Sequence, residues 1–282
     1  MEEEDLEQTM VADRSQHKPI IRAEHVDHYY EGQNGWIHAL SDVNLEIPRK
    51  EFLCVIGPSG CGKSTFLKIV AGLIKPSSGT VLLNDAPILG PGPDRGIVFQ
   101  EPALFAWRTV LENVEFGLQM QKIPKAETRK RAQAILEIVG LGHVINLYPY
   151  QLSGGMRHRV AVARAWALPN ADLLLMDEPF SAIDAINRMT LQDYLIDTWM
   201  QEKRTVLYVT HDIDEAVYLA DRILLMRPSP GRIGRYFQVD MPRKRDRNSP
   251  EFNALKNLIT EEMHKSADPS EDLRDSVVET AK

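Results

Sequence analysis

The chain has 282 residues, with 33 Lys and Arg against 40 Asp and Glu, a formal charge of −7, and 43% hydrophobic residues, enough for one sizeable core in one or two domains. An acidic balance of this kind repels phosphate backbones, which excludes generic nucleic-acid binding through a basic surface and leaves only local cationic pockets for anions. The longest apolar runs, such as Leu173–Met176, are a few residues long, against the roughly 20 that a membrane helix needs.

The start Met1–Asp5 lacks the positive charge and apolar stretch of a signal peptide, so the chain is expected to remain in the cytoplasm. Residues 1–18, with six acidic side chains, read as a disordered tail, and 266–282 as a polar one. The two cysteines, Cys54 and Cys61, exclude a disulfide framework and read as buried or loop thiols. Between the tails, short apolar runs alternate with helical patterns, the habit of a mostly parallel sheet covered by helices. Strands are expected at Phe52–Ile56, Leu173–Asp177, Val206–Thr210 and Ile223–Met226. Their continuous rather than alternating apolarity means that both faces are buried. Ala132, Ile135, Leu136 and Val139 follow helical spacing, which makes 101–168 a helical insertion between α/β segments 19–100 and 169–240. After a turn at Pro228, Pro230 and Gly231, an edge strand is expected at Phe237–Asp240, and within 241–265 a last helix from about 249.

The chemistry is concentrated where the first of these strands ends. Phe52–Ile56 runs into Gly57–Pro58–Ser59–Gly60–Cys61–Gly62–Lys63–Ser64–Thr65 and then a helical pattern, the order strand, GxxxxGK[ST], helix. Glycines let the backbone turn its N–H groups inward at phosphate oxygens, and the positive end of the helix dipole adds to the field. Lys63 would neutralise the β- and γ-phosphates, Ser64 would offer a hydroxyl to Mg²⁺ and Thr65 a further phosphate contact, so the bound species reads as a nucleoside triphosphate with its metal. The strand Leu173–Met176 ends in Asp177–Glu178, two carboxylates at the sheet edge where α/β ligands sit. Asp177 suits the metal, and Glu178 suits a general base that polarises the attacking water. A third strand delivers His211 to the same edge, where an imidazole can bond a γ-phosphate oxygen and orient that water.

A second anion site opens the helix that follows Leu152–Ser153–Gly154–Gly155–Met156, through Ser153 and the free N–H groups of Gly154 and Gly155. With this piece the chain resembles the ATP-binding subunit of an ABC transporter, whose signature is LSGGQ. The resemblance implies a P-loop NTPase core with an antiparallel β part and a helical signature subdomain. It also implies that two subunits, identical or paired, sandwich two ATP head to tail. By the same resemblance Tyr30, with Tyr29 as the alternative, stacks on adenine. Gln100 reaches Mg²⁺ and reports on the membrane partner, Ser181–Asp184 forms the loop across the dimer interface with Asp184 near nucleotide, and His211 is the switch histidine.

The stretches Pro93–Gly96, Phe99–Leu104, Trp107, Val110–Val114 and Arg227–Ile233, with the trailing Met241–Asp246, resemble the nitrate, sulfonate, taurine and bicarbonate importer group. That implies an integral membrane permease, an extracytoplasmic solute-binding protein and a place on the cytoplasmic face of the membrane, with no nucleic-acid partner. Leu104, Phe105 and Trp107 are candidates for the groove that receives the permease, Trp107 being equally open to a core role. An exporter ATPase shares every catalytic residue and differs only in its partner, while a non-transport ABC protein generally carries two ATPase units or a long coiled coil. The chain departs from the family pattern at Met156 and His158, where glutamines are usual, and at Ala106, where proline is. The last two were expected to stay clear of the chemistry.

Overall fold

The computed structural model describes residues 18–267 apart from Asn34 and Ala182, so the expected tails lie almost wholly outside the described residues. Two sheets organise the chain. Strands β1 (Pro19–Gly32), β2 (Gly35–Pro48), β4 (Ser78–Leu83) and β5 (Ala86–Pro87) form an antiparallel sheet in the order β2-β1-β4-β5. The larger sheet runs β10-β9-β3-β8-β7-β6, from β3 (Phe52–Ile56), β6 (Arg95–Val98), β7 (Leu173–Asp177), β8 (Thr205–Val209), β9 (Arg222–Arg227) and β10 (Arg232–Gln238). All its pairings are parallel except β9 with β10.

The unbroken apolarity of the central strands has a direct cause in the packing. Phe52, Cys54 and Ile56 enter one core with Leu174, Met176, Val206 and Tyr208, whereas Leu53 and Val55 enter a second with Leu173, Leu175, Leu207 and Val209. Side chains alternate across a strand, so a strand with both faces covered must be apolar throughout. The second core is closed by the antiparallel sheet and by α1 (Lys63–Val70), whose Phe66, Leu67, Ile69 and Val70 pack against Ile21, Val26 and Leu40. The first is closed by α2 (Val110–Met120), α3 (Lys125–Ile138), α4 (Gly154–Trp166) and α5 (Ala185–Glu202). The three helices α2 to α4 fall within the interval expected to be a helical insertion.

Several boundaries differ from expectation. The edge strand begins at Arg232 rather than Phe237 and stops short of Asp240, because the Pro228–Gly231 turn makes it the second arm of a hairpin with β9. It is mostly polar and only Phe237 in it is buried, so it gives little sequence signal. The strand before His211 is Thr205–Val209, with Thr210 just beyond its end. The final helix, α7 (Pro250–Ala267), runs two residues past 265, so Ser266 is helical and its hydroxyl donates to the Glu262 carbonyl. The basic residues after β10 are structural. Buried Arg245 donates to the carbonyls of Val217, Tyr218, Val239 and Met241, while Arg243 pairs with Asp221 at 2.6 Å and lies over Trp199.

A buried polar chain ties α5 to α6 (Ile213–Leu219): Arg247 donates to Gln192 at 2.6 Å, Gln192 donates to Glu215 at 2.9 Å, and Thr210 donates to the other Glu215 oxygen. Burial pushes Glu215 above the ordinary carboxylate value, and the bonds from Thr210 and Gln192 offset part of that rise. The folded chain therefore holds this proton to higher pH than the unfolded chain. The cost of the charge is absent below about pH 4.3, the unfolded value, and is incurred as pH rises through the raised folded value. Glu215→Gln removes the charge, keeps the Gln192 bond on its carboxamide oxygen and reverses the other, its N–H donating to the Thr210 hydroxyl. Its stability relative to the parent should rise between pH 4 and pH 7 in denaturant titrations, and an unchanged difference at the two pH values would contradict this.

Candidate active site

β3 ends buried at Ile56, and the loop that follows is shaped by glycine. Gly62 has φ +89°, and a Cβ there would stand 2.5 Å from the Leu40 side chain and 2.8 Å from the Ala39 carbonyl. Only glycine combines that conformation with so close an approach. The first turn of α1, at Lys63, Ser64 and Thr65, leaves N–H groups with no intrahelical acceptor. Lys63 is buried, and its ammonium donates to the loop's own carbonyls at Gly57 (2.8 Å) and Pro58 (2.9 Å), with the Cys61 sulfur at 3.7 Å. Among the described residues no carboxylate is paired with it. A buried ammonium with no carboxylate beside it, next to helix-start N–H groups that lack an intrahelical acceptor, suits a multiply charged anion. Both cysteines are buried and free, and burial raises the Cys61 thiol.

The carboxylates arrive as the strand order dictates. Asp177 closes β7, is 6% exposed, and accepts from the Ser64 hydroxyl at 2.9 Å. Burial pushes its carboxyl up, the Ser64 bond acts against this, and neighbouring Glu178 adds to it. A hydroxyl and a carboxylate in contact form an all-oxygen donor pair of the kind a hard divalent cation prefers. Among the described residues there is no cluster of three or more His, Cys, Asp or Glu that could hold a metal ion. Glu178 has φ +46°, a left-handed conformation unusual for glutamate, held by its N–H donating to the Val209 carbonyl at 2.9 Å. That turn aims its carboxylate at His211, whose Nδ1 lies 3.0 Å from Glu178 Oε2. His211 is carried by a fixed turn: the Thr210 N–H donates to Val55, and the Asp212 N–H donates to the Thr210 hydroxyl.

A cleft of about 510 Å³ joins Tyr30, Ser59, Gly60, Gly62, Lys63, Ser64, Thr65, Gln100 and Glu178. Of the two candidate aromatics, Tyr30 lines it, with its hydroxyl 3.3 Å from that of Thr65. Tyr29 stacks on His38 instead, with ring centroids 4.1 Å apart. Ser153, Gly154, Gly155 and Asp184 do not line this cleft. Ser153 caps α4, accepting from the Met156 N–H at 3.3 Å, and Gly155 faces Ile183. Asp184 caps α5 and takes two bonds from Asn187, which hold its carboxyl below the usual range. Trp107 is 74% exposed, which removes its core reading.

Three features of the site escaped the sequence reading. Ile37, His38 and Ala39 line the cleft from β2. Gly231, expected only as a turn residue, closes a wall with Ser229: its N–H donates to Ala39 and its carbonyl accepts from Ser41. His158, expected to stay clear of the chemistry, is buried, and its Nε2 donates to the Gln100 carbonyl at 2.8 Å. The sequence signals available were the glycine after Ser229–Pro230 and a histidine on the inner side of an amphipathic helix, both too local to show what they touch.

Comparison with known proteins gives a consistent set of likenesses. Residues 40–181 match the ABC transporter family. The chain is 46% identical to an uncharacterized ABC transporter ATP-binding protein of Methanocaldococcus jannaschii, over 91% of this chain and 97% of that one. It is 47% identical to the aliphatic sulfonates import ATP-binding protein of Bacillus licheniformis, over 79% of this chain and 86% of that one. Among solved structures, an ATP-binding cassette captured as a dimer in a post-hydrolysis state with ADP and Pi superposes with a TM-score of 0.71 at 34% identity, covering 79% of this chain and all of the other.

The Gly231 wall is testable by one methyl group. A Cβ at Gly231 would lie 2.3 Å from the Cys61 carbonyl oxygen and 2.7 Å from that of Ala39, both backbone atoms. Gly231→Ala should therefore cost about 1–3 kcal/mol in stability and weaken ATP binding about tenfold, read by thermal unfolding and calorimetric titration. Unchanged affinity would show that this turn does not shape the phosphate loop.

Proposed function

The chain belongs to the ABC transporter family as an ATP-binding subunit, an ATPase coupled to transport, and we propose that it energises an importer for a small anionic solute of the sulfonate type. The carrying observation is the cleft in which an aromatic face, a phosphate loop with a buried ammonium, a glutamine and a left-handed glutamate converge. The likeness to a sulfonate import protein, together with the motifs Pro93–Gly96, Phe99–Leu104 and Arg227–Ile233, supports the import reading over export.

In this reading Tyr30 supplies the face for adenine, and Gly57 through Thr65 bind the phosphates through N–H groups and the Lys63 ammonium. Ser64, Asp177 and Gln100 would hold Mg²⁺, which when bound neutralises charge on the phosphates. Glu178 takes the proton of the attacking water, and His211 orients it and contacts the γ-phosphate. Ser153, Gly154 and Gly155 serve the nucleotide held by a second ATPase subunit, and the loop Ser181–Asp184 runs along the same interface. Since the chain's own cleft lacks these residues, hydrolysis requires the head-to-tail pair.

No described helix is long and apolar enough to cross a membrane. The likeness to import ATP-binding proteins supports a separate integral membrane permease as the partner. Leu104, Phe105 and exposed Trp107 are the proposed docking surface. Buried Asn113 stiffens it, taking the Phe105 N–H on its side-chain oxygen and donating to the carbonyls of Phe105, Arg108 and Thr109. An extracytoplasmic solute-binding protein completes the assembly, and the subunit sits peripherally on the cytoplasmic face. Two outcomes follow. Glu178→Gln should bind ATP normally, lose about 10²–10³ in turnover and accumulate as an ATP-bound dimer in size-exclusion chromatography, whereas near-normal hydrolysis would remove Glu178 as the base. Affinity capture from detergent-solubilised native membranes should recover a multi-span permease and a solute-binding protein. A permease without a binding protein would favour export, and a purely soluble set of partners would overturn transport.

A further inference from the structure

Gln100 stands two residues beyond β6, with its side chain on the nucleotide cleft and its carbonyl directed at α4. His158, on the first turns of α4 and 5% exposed, reaches that carbonyl with Nε2 at 2.8 Å, while its Nδ1 lies 3.1 Å from the Gly154 carbonyl of its own helix. A neutral imidazole carries one ring proton, and the shorter contact takes it. Among the described residues no other side chain bonds to Gln100. Three residues beyond it the chain is held to the same helix again, where Arg164 donates to the Ala103 carbonyl at 2.7 Å and lies over the Phe105 ring. The bond from His158 spans 58 positions of sequence and, with the Arg164 bond, ties α4 to the segment that follows β6.

We infer that His158 is a positioning residue for Gln100: it fixes the cleft-facing glutamine to the first turns of the helix that Ser153, Gly154 and Gly155 open. The inference rests on the reading of Gln100 as part of the nucleotide site. Its physical content is that two elements meant for two different nucleotides, one held by this chain and one by its partner, move as one piece. The buried imidazole is the one side chain that bonds Gln100 among the described residues, so Gln100 without His158 samples positions that the chemistry cannot use. The phosphate loop and Tyr30 are untouched by the loss, so affinity in the ground state survives while the rate does not.

The test uses the full chain and Mg-ATP. His158→Ala should lower kcat about tenfold, with KM for ATP and calorimetric affinity for ADP within about twofold of the parent. His158→Gln, whose carboxamide N–H donates to the same carbonyl, should hold kcat within about twofold of the parent. Gln100→Ala should lower kcat, and the double variant Gln100→Ala with His158→Ala should lose no more than Gln100→Ala alone. An unchanged kcat in His158→Ala, a His158→Gln variant as slow as His158→Ala, or nucleotide affinity falling in step with kcat would each overturn the inference. The last two would assign His158 to packing. If Gln100→Ala is fully active, the reading of Gln100 fails and the inference with it; if Gln100→Ala is slow and His158→Ala is not, the site reading stands and only the tether falls.

Discussion

Parallel pairing of β3 with β8, and of β8 with β7, is the constraint on which the rest of the site depends. In that register Val55 and Asp177 both stand opposite Val209. The phosphate loop after Ile56, the carboxylates at 177 and 178 and the histidine at 211 must then leave the sheet at one edge. No side chain of the site contributes to this arrangement. It follows from strands whose two faces are both buried, feeding alternate residues to two cores, and from crossovers long enough to return each strand in the same direction. The fold therefore delivers the chemistry, and the loops refine it.

Two buried charges at that edge are each held at a cost. Lys63 has two carbonyl oxygens and the Cys61 sulfur for its ammonium, with no carboxylate partner among the described residues, and Asp177 is pushed toward its neutral form by burial and by Glu178. A triphosphate and a divalent cation would relieve both, the first by giving the ammonium a full counter-charge and the second by favouring the ionised carboxyl. The left-handed backbone of Glu178 belongs to the same logic. Strain at a residue whose side chain meets His211 is retained where an alternative conformation would aim the carboxylate elsewhere.

How much of this was legible follows from distance along the chain. The phosphate loop is nine consecutive residues between a strand and a helix, and its chemistry is local, so it could be read whole. Asp177, Glu178 and His211 were legible because each ends an apolar run, and parallel sheets bring such ends together. The antiparallel sheet was anticipated only through the family resemblance: β1 and β2 are 14 residues each, half-exposed, and broken by register shifts around Ala23, Val26 and His28, which blur the alternation. Gly231 and His158 were misjudged for one shared reason, that each acts through a backbone carbonyl remote in sequence. A carbonyl carries no side-chain signal. The basic residues Arg243 and Arg245 are legible in the sequence only as subgroup markers, yet they anchor the C-terminal segment through the carbonyls of the α6 region and after β10.

On the proposed function one chain carries half of two sites. Its cleft holds the phosphate loop, Gln100 and Glu178, while the start of α4 lies outside that cleft with Ser153 capping it. Complementation between two disabled variants measures this most directly. Lys63→Ala removes the ammonium, and Gly154→Asp puts a carboxylate at the helix start, where a Cβ meets nothing nearer than Arg157 at 3.9 Å and the fold is undisturbed. Each variant alone should be inactive, and mixing them should restore ATPase activity, because one of the two sites in the mixed dimer pairs an intact phosphate loop with an intact signature helix. Mixtures as inactive as their components would contradict the account and place the whole site within one chain.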